Sequence, residues 1–356
     1  MKILFVCERS AGHIFPALSL GAKISKEATV YFFATSEYLK KYIEKEGFVC
    51  FGKSFSFKKG STPFLDCRRG VLSFFKRELT PFIWRFFEAL YLLLKLRPNK
   101  VIGFGGRDSF FLVLFSSLLG VQTFIYEPNL SFGKANWVLM PFVSKILRGF
   151  QGDTNKKSTT IGIPLRKNIK KIDRAVARKS LNFNDDPVVF CLGGSQGSVF
   201  LNDLFVKFVQ NFKGRIQIIH ITGKDKYLEI MPFYNTMKVR SFVKDFYYNI
   251  ETLYSAADVV VSRAGANTLG EISFYQLPAI LLPLPNAGGH QKENALYLQD
   301  KGAAIVHFQN EFSFVNFSAS LNSLIQDDVL RQRIKNNLKK IKLGISYEDF
   351  NSNNNL

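Results

Sequence analysis

Metal-binding side chains are scarce in this 356-residue chain. It has only four histidines, which argues against a zinc site, and its four cysteines (Cys7, Cys50, Cys67, Cys191) form no CxxC pair. Cys7 and Cys191 sit inside strand-like apolar runs, so buried free thiols in a reducing compartment are expected. No two aspartates stand two apart, so no DxD motif is present to hold a metal–diphosphate, and the absence of GxxxxGK[ST] excludes a P-loop ATPase. The opening KILFVC is too short for a signal-peptide core and runs straight into Glu8–Arg9. The most lipid-like stretch, SFFLVLFSSLLGVQTFIY from Ser109, is broken by Gly120, Gln122 and Thr123. It reads as a buried helix followed by a strand, and a cytosolic chain attached to a membrane face fits better than a spanning one. Acid is short too: 28 Asp+Glu stand against 48 Lys+Arg, for a net charge of +20. Such an excess points to an anionic partner, whether nucleic acid, an acidic membrane surface or a phosphorylated substrate.

What is abundant is alternation. Strands are expected at KILFVC, ATVYFFAT, KVIGFGG and QTFIYEP, and again at PVVFCLGG, IQIIHITG, MKVRSFV, DVVVSR and PAILLPLP, with helical patterns between them. That is the signature of an α/β protein with parallel sheets. The two series imply two doubly wound, Rossmann-like domains facing across a cleft, 1–163 and 164–345, followed by a flexible tail at 346–356. Open α/β sheets bind ligands at the carboxyl ends of their strands, so the loops there carry the function.

In CLGGSQGSVFLND, Gly193–Gly194 permit close backbone approach, Ser195 and Gln196 offer hydrogen bonds, and Gly197 opens a helix. This suits a diphosphate cradle, though a tight strand–helix turn without a ligand has the same pattern. In ADVVVSRAGANTLGEISFYQLPAILLPLPNAGGHQKENA, a strand ends at Ser262–Arg263 and the Ala266–Asn267 turn starts a helix. Glu271 near its start is placed to accept ribose hydroxyls, or simply to complement the helix dipole. His290, Gln291 and Asn294 follow as groups suited to sugar hydroxyls. GFGGRDSF, with Gly105, Gly106 and Arg107, offers a second anion turn, and Glu127 and Asn129 of YEPNLSFGKAN would point into the cleft.

The segment 68–98 differs in kind. Thr80–Pro81 starts a helix that Pro98 bounds, with Phe82, Ile83, Phe86, Phe87, Leu90 and Leu94 as its inward stripe. Val71, Phe74, Phe75 and Trp84 are hard to bury at once, and with Arg77 and Arg85 interleaved they form a candidate membrane-docking patch. Nucleic-acid binding would use the same residue types, but no nucleic-acid motif accompanies them, and none is expected as a partner.

GGSQGS, DVVVSRAGANTLGE, LPAILLPLP, HQKENA, GFGGRDS, EPN, GIPLR and AGHIFPALSL occur in order from residue 3 to about 306. In these the chain resembles the MurG family, the UDP-N-acetylglucosamine transferases of peptidoglycan synthesis, two-domain GT-B glycosyltransferases of family 28. The resemblance implies inverting transfer of N-acetylglucosamine (GlcNAc) from UDP-GlcNAc to the 4-hydroxyl of an undecaprenyl-diphosphate-linked muramoyl-pentapeptide, at the cytoplasmic face of a bacterial inner membrane. It implies donor contacts from Asn129, Arg166, Ser195, Gln196, the backbone of Phe242–Val243, Ala266, Asn267, Glu271, His290 and Gln291. Acceptor contacts would come from Gly12, His13, Gly105, Gly106 and Arg107. His13 is the favoured base and Glu127 the second, with UDP-GlcNAc a substrate and no obligatory metal or cofactor. Departures cluster on the acceptor side or at the hinge: ERSAGH replaces a glycine-rich GGTGGH turn, YEPN replaces HEQN, Arg107 stands for tyrosine, and GIP stands for GNP before Arg166. They leave open a related transferase using another lipid acceptor, such as a diacylglycerol, or a non-catalytic nucleotide-sugar or lipid-binding homologue.

Overall fold

The computed structural model describes residues 1–7, 11–52, 86–152, 155–194, 197–224, 226–237, 239–285 and 289–350, without the side chains of Ala11, Arg107 and Asp108. The expected membrane patch (Val71, Phe74, Phe75, Arg77, Trp84, Arg85) lies outside the described residues. So do Glu8–Ser10, Cys67, Ser195 and Gln196.

Two parallel sheets organise the chain. The first has seven strands: β1 (Lys2–Cys7), β2 (Thr29–Ala34), β3 (Val49–Phe51), β4 (Lys100–Gly103), β5 (Gln122–Glu127), β6 (Lys145–Arg148) and β7 (Ser158–Thr160), in the order β3-β2-β1-β4-β5-β6-β7. The second has six: β9 (Val188–Leu192), β10 (Gln217–Ile221), β11 (Arg240–Lys244), β12 (Val259–Ser262), β13 (Ala279–Leu281) and β14 (Ile305–Val306), ordered β11-β10-β9-β12-β13-β14. Both orders reverse beside the first strand of the sheet, which opens a crevice between β1 and β4 and another between β9 and β12. The central strands read as unbroken apolar runs because helices cover both faces; Ile3–Cys7, Val188–Cys191 and Val259–Val261 are all fully buried. Cys7, Cys50 and Cys191 are free and buried. Burial pushes all three thiols up, Cys50 to about 12, so they pack as small apolar groups.

The helices that matter most to the crevices start at them. They are α1 (Ala11–Ile24) after β1, α4 (Arg107–Leu118) after β4, α7 (Val199–Asn211) after β9 and α10 (Ala266–Tyr275) after β12. Between β2 and β3 lies α2 (Glu37–Lys45), and α5 (Lys134–Leu139) follows β5. α6 (Arg174–Ser180) precedes β9, α8 (Tyr227–Thr236) precedes β11 and α9 (Ile250–Ala256) precedes β12.

Two expectations need correction. The described part of the helix before β4, α3 (86–96), buries Ala89, Leu92, Leu93 and Leu96, while Phe86, Phe87 and Leu94 of the expected stripe are exposed and Leu90 is half-buried. FFEALYLLLKL is apolar almost all round, so its periodicity does not select a face; the sheet does, through Leu4, Val6 and Val101 of the same cluster. The chain also does not trail off at 346. β15 (Gly344–Ile345) pairs with β8 (Ile163–Pro164), and Phe350 is buried in the first half's core. Lys23 Nζ donates to the Tyr347 carbonyl at 3.1 Å, and Tyr347 Oη to that of Ala22 at 3.2 Å. Residues 351–356 lie outside the described ones.

Candidate functional site

The first crevice is built around close backbone approach. Gly105 and Gly106 have φ of +87° and +88°, a region that strains other residues. A Cβ on Gly105 would stand 3.5 Å from His13 Nε2, an ordinary contact, so the imidazole lies against the turn and it is the positive φ that favours glycine there. Burial lowers the His13 pKa from its usual value, and the neighbouring Glu127 carboxylate opposes this only in part. The ring is therefore neutral at pH 7 and able to accept a proton. His13 Nδ1 is buried without a hydrogen-bond partner among the described residues.

Glu127, at the end of β5, is buried and saturated. Oε1 accepts from Asn129 N (3.1 Å) and Asn129 Nδ2 (3.0 Å), and Oε2 from Gly133 N and Asn136 Nδ2, both at 2.9 Å. The carboxylate fixes the loop between β5 and α5. A cavity of about 530 Å³ there is lined by His13, Gly105, Glu127, Asn129, Lys134 and His290, among others. Lys134 is a cation that the sequence reading passed over, because it sits in a short loop-to-helix turn with no motif around it.

The second crevice is held by side chains. Ser198 caps α7, and Arg263 Nη2 donates to Ser198 Oγ at 2.7 Å while its Nη1 donates to the Leu282 carbonyl at 2.9 Å. One buried guanidinium thus ties together the loops after β9, β12 and β13. Gly197 has no room for a Cβ, which would meet the Thr222 carbonyl at 2.3 Å. Glu271 is buried one turn into α10. Its Oε1 accepts from Arg166 Nη2 and its Oε2 from Tyr254 Oη, each at 2.8 Å. Burial and the Glu271 charge both push the Tyr254 phenol well up, so it stays a donor. Phe242 and Val243 lie in β11, an edge strand of the described sheet, whose outer backbone groups suit reading a flat base.

The crevices face each other and are joined. Asn294, on α11 (His290–Asp300), accepts from Leu130 N at 2.9 Å and donates to Asn129 Oδ1 at 3.0 Å and the Ala264 carbonyl at 3.3 Å. Expected as a sugar contact, it is fully buried and bridges the halves instead. His290 Nδ1 lies 3.0 Å from Ser131 Oγ, and Asn267 Nδ2 donates to the Gly12 carbonyl at 3.4 Å. Gln291 Oε1 accepts from Leu284 N at 3.0 Å, which holds its own loop. Among the described residues no group of three or more His, Cys, Asp or Glu is arranged to hold a metal.

This geometry has relatives. Residues 6–148 match the model of the glycosyltransferase family 28 N-terminal domain, and residues 188–346 that of the family 28 C-terminal domain. A protein of Caldicellulosiruptor saccharolyticus is 30% identical over 96% of this chain and 94% of its own length. One of Rickettsia bellii is 29% identical over 96% of each. Both are described as UDP-N-acetylglucosamine–N-acetylmuramyl-(pentapeptide) pyrophosphoryl-undecaprenol N-acetylglucosamine transferases. The Acinetobacter baumannii MurG crystal structure superposes with a TM-score of 0.76 at 22% identity, covering 97% of this chain and 96% of that one. The calicheamicin glycosyltransferase CalG4 gives 0.67 at 12% identity, covering 96% and 95%. Both structures share the two-domain GT-B fold.

Proposed function

The chain belongs to glycosyltransferase family 28, and from that premise we propose how its residues move N-acetylglucosamine from UDP-GlcNAc to a lipid-linked muramoyl-pentapeptide. The observation that carries the reading is the convergence of the two switch-point crevices, with His13, Glu127 and His290 of opposite halves around one cavity. The acceptor 4-hydroxyl attacks the anomeric carbon, the bond from that carbon to the UDP oxygen breaks, and the hydroxyl proton passes to neutral His13. Glu127, its acceptor capacity consumed by the loop, is the positioning group rather than the base.

The second half takes the donor. Glu271 receives the ribose hydroxyls, exchanging Arg166 for them and freeing that guanidinium for the diphosphate. Ser195, Gln196 and the Ala266–Asn267 turn receive the phosphates at the starts of α7 and α10, where oriented amides stabilise the charge that grows on UDP. Val243 and Phe242 meet the uracil, and His290 and Gln291 face the sugar. Gly12, Gly105, Gly106 and Arg107 receive the acceptor diphosphate. The leaving group needs no metal in this account.

The membrane side of the reading rests on the first half's outer surface. Phe87, Tyr91 and Leu94 of α3, Leu118 and Leu119 at the end of α4, and Trp137, Val138 and Phe142 around α5 are exposed. The three helices adjoin, with Phe86 and Phe115 packed at 4.7 Å and Ser117 Oγ bonded to the Phe142 carbonyl at 2.5 Å. An apolar face of this kind on a chain of net charge +20 suits peripheral docking to an anionic membrane at its cytoplasmic side. Among the described residues no helix is long and apolar enough to cross a membrane.

The test is transfer of labelled GlcNAc from its UDP donor to a short-chain lipid-linked muramoyl-pentapeptide in EDTA. Product formed by the wild type and lost in Glu271→Ala supports the account. Donor hydrolysis without that product contradicts the acceptor assignment, and dependence on added metal contradicts the metal-free step.

A further inference from the structure

A second cavity, of about 850 Å³, shares no lining residue with the one around His13 and meets the donor site described above only at Arg166. It opens at the carboxyl ends of β10 and β11, where Gly223 N donates to the Asp245 carbonyl at 3.1 Å, and it borders Arg166. One wall belongs to the first half: Phe15 of α1 and Tyr42 of α2, their rings 6.1 Å apart and nearly perpendicular. The other is the loop after β11, where Phe246 and Tyr248 pair at 4.9 Å. Edge-to-face pairs leave ring faces free, and Tyr248 is 70% exposed beside the cavity. The Arg166 guanidinium lies 5.1 Å from the Phe15 centroid, so the aromatic wall is continuous with the Arg166–Glu271 pair. Asn168 Nδ2 donates to the Tyr248 carbonyl at 3.3 Å and ties the loop to the linker.

A lipid tail would be poorly served by this lining, which includes Arg166 and Asp245. A flat, polar-edged ring is well served, because stacking uses the aromatic faces and the edge finds hydrogen-bonding partners. We propose that Tyr42 and Phe15 of the first half, together with Tyr248 of the second, stack on the uracil of the UDP-sugar. The base is then read across the cleft, not by the second half alone. This rests on the UDP-sugar reading above and adds a first-half contribution to it. It gives cleft closure a direct part in donor affinity.

The experiment is calorimetry of UDP with the full chain, together with steady-state kinetics, for wild type, Tyr42→Ala, Tyr42→Phe and Tyr248→Ala. Both alanine variants should weaken UDP binding and raise the KM for UDP-GlcNAc by about tenfold, with kcat and the acceptor KM unchanged. Tyr42→Phe, which keeps the ring, should bind as the wild type does. Tyr248→Ala removes an exposed side chain, so its result does not depend on whether Tyr42→Ala folds. UDP binding unchanged in both alanine variants overturns the proposal alone. A rise in the acceptor KM instead also overturns it and gives the cavity to the acceptor. Wild type that binds no UDP overturns the donor reading, and the proposal with it.

Discussion

The two halves share a strand order and differ in what holds their strand-end loops. In the second half, buried side chains within that half do the work. Arg263 spans three loops, and Arg178 donates to Asp258 Oδ2 at 2.6 Å. His220 is held between Tyr234 Oη at 2.9 Å and Asn202 Oδ1 at 3.0 Å. In the first half Glu127 holds the loop carrying Asn129 and Leu130 from within, and that loop is also hydrogen-bonded across the cleft to Asn294. The second half's strand-end loops are anchored within that half, whereas the first half's β5–α5 loop adds an anchor on the other half to its own.

Removing Asp258 is the strongest way to break that comparison. Asp258→Ala leaves Arg178 buried without its carboxylate and should cost about 3–5 kcal/mol, read as a lower denaturant midpoint. Asn294→Ala strikes the bridge. It leaves Leu130 N and Asn129 Oδ1 without Asn294 and should cost about 1–3 kcal/mol. Its sharper signature is kinetic: kcat should fall by more than UDP affinity does, because the loop beside His13 loses its anchor while the Arg166–Glu271 pair keeps its own. The mildest change is at the surface. Trp137→Ser should leave stability within about 0.5 kcal/mol and reduce binding to anionic vesicles in a sedimentation assay.

Much of this was legible in the residues. The central strands announced themselves as apolar runs ending in Gly-containing or polar loops, and those loops fall at the two switch points. The short edge strands β3, β7 and β14 did not, because two or three residues are too few to show a period. Asn294 was noticed as polar, but only the fold shows that it spends its hydrogen bonds on a loop about 165 residues away. The buried face of α3 was misread because both of its faces are apolar, and composition cannot choose between them. Ser198 and Arg263 stood inside quoted motifs, yet their partnership joins residues 65 apart and has no local signal.

His13 tests the division of labour most directly, since it belongs to the first half and the ribose and diphosphate groups of the donor to the second. Measure UDP affinity and the pH dependence of transfer for wild type and His13→Ala. The account predicts unchanged UDP affinity and a kcat reduced by about 10²–10⁴. Wild type should lose activity only as pH falls below 6.5, because burial lowers the His13 pKa and the proton-accepting form persists further into acid. That acid limb should be absent in the variant. If His13→Ala transfers at the wild-type rate, or loses UDP along with activity, the assignment of the base to the first half is wrong.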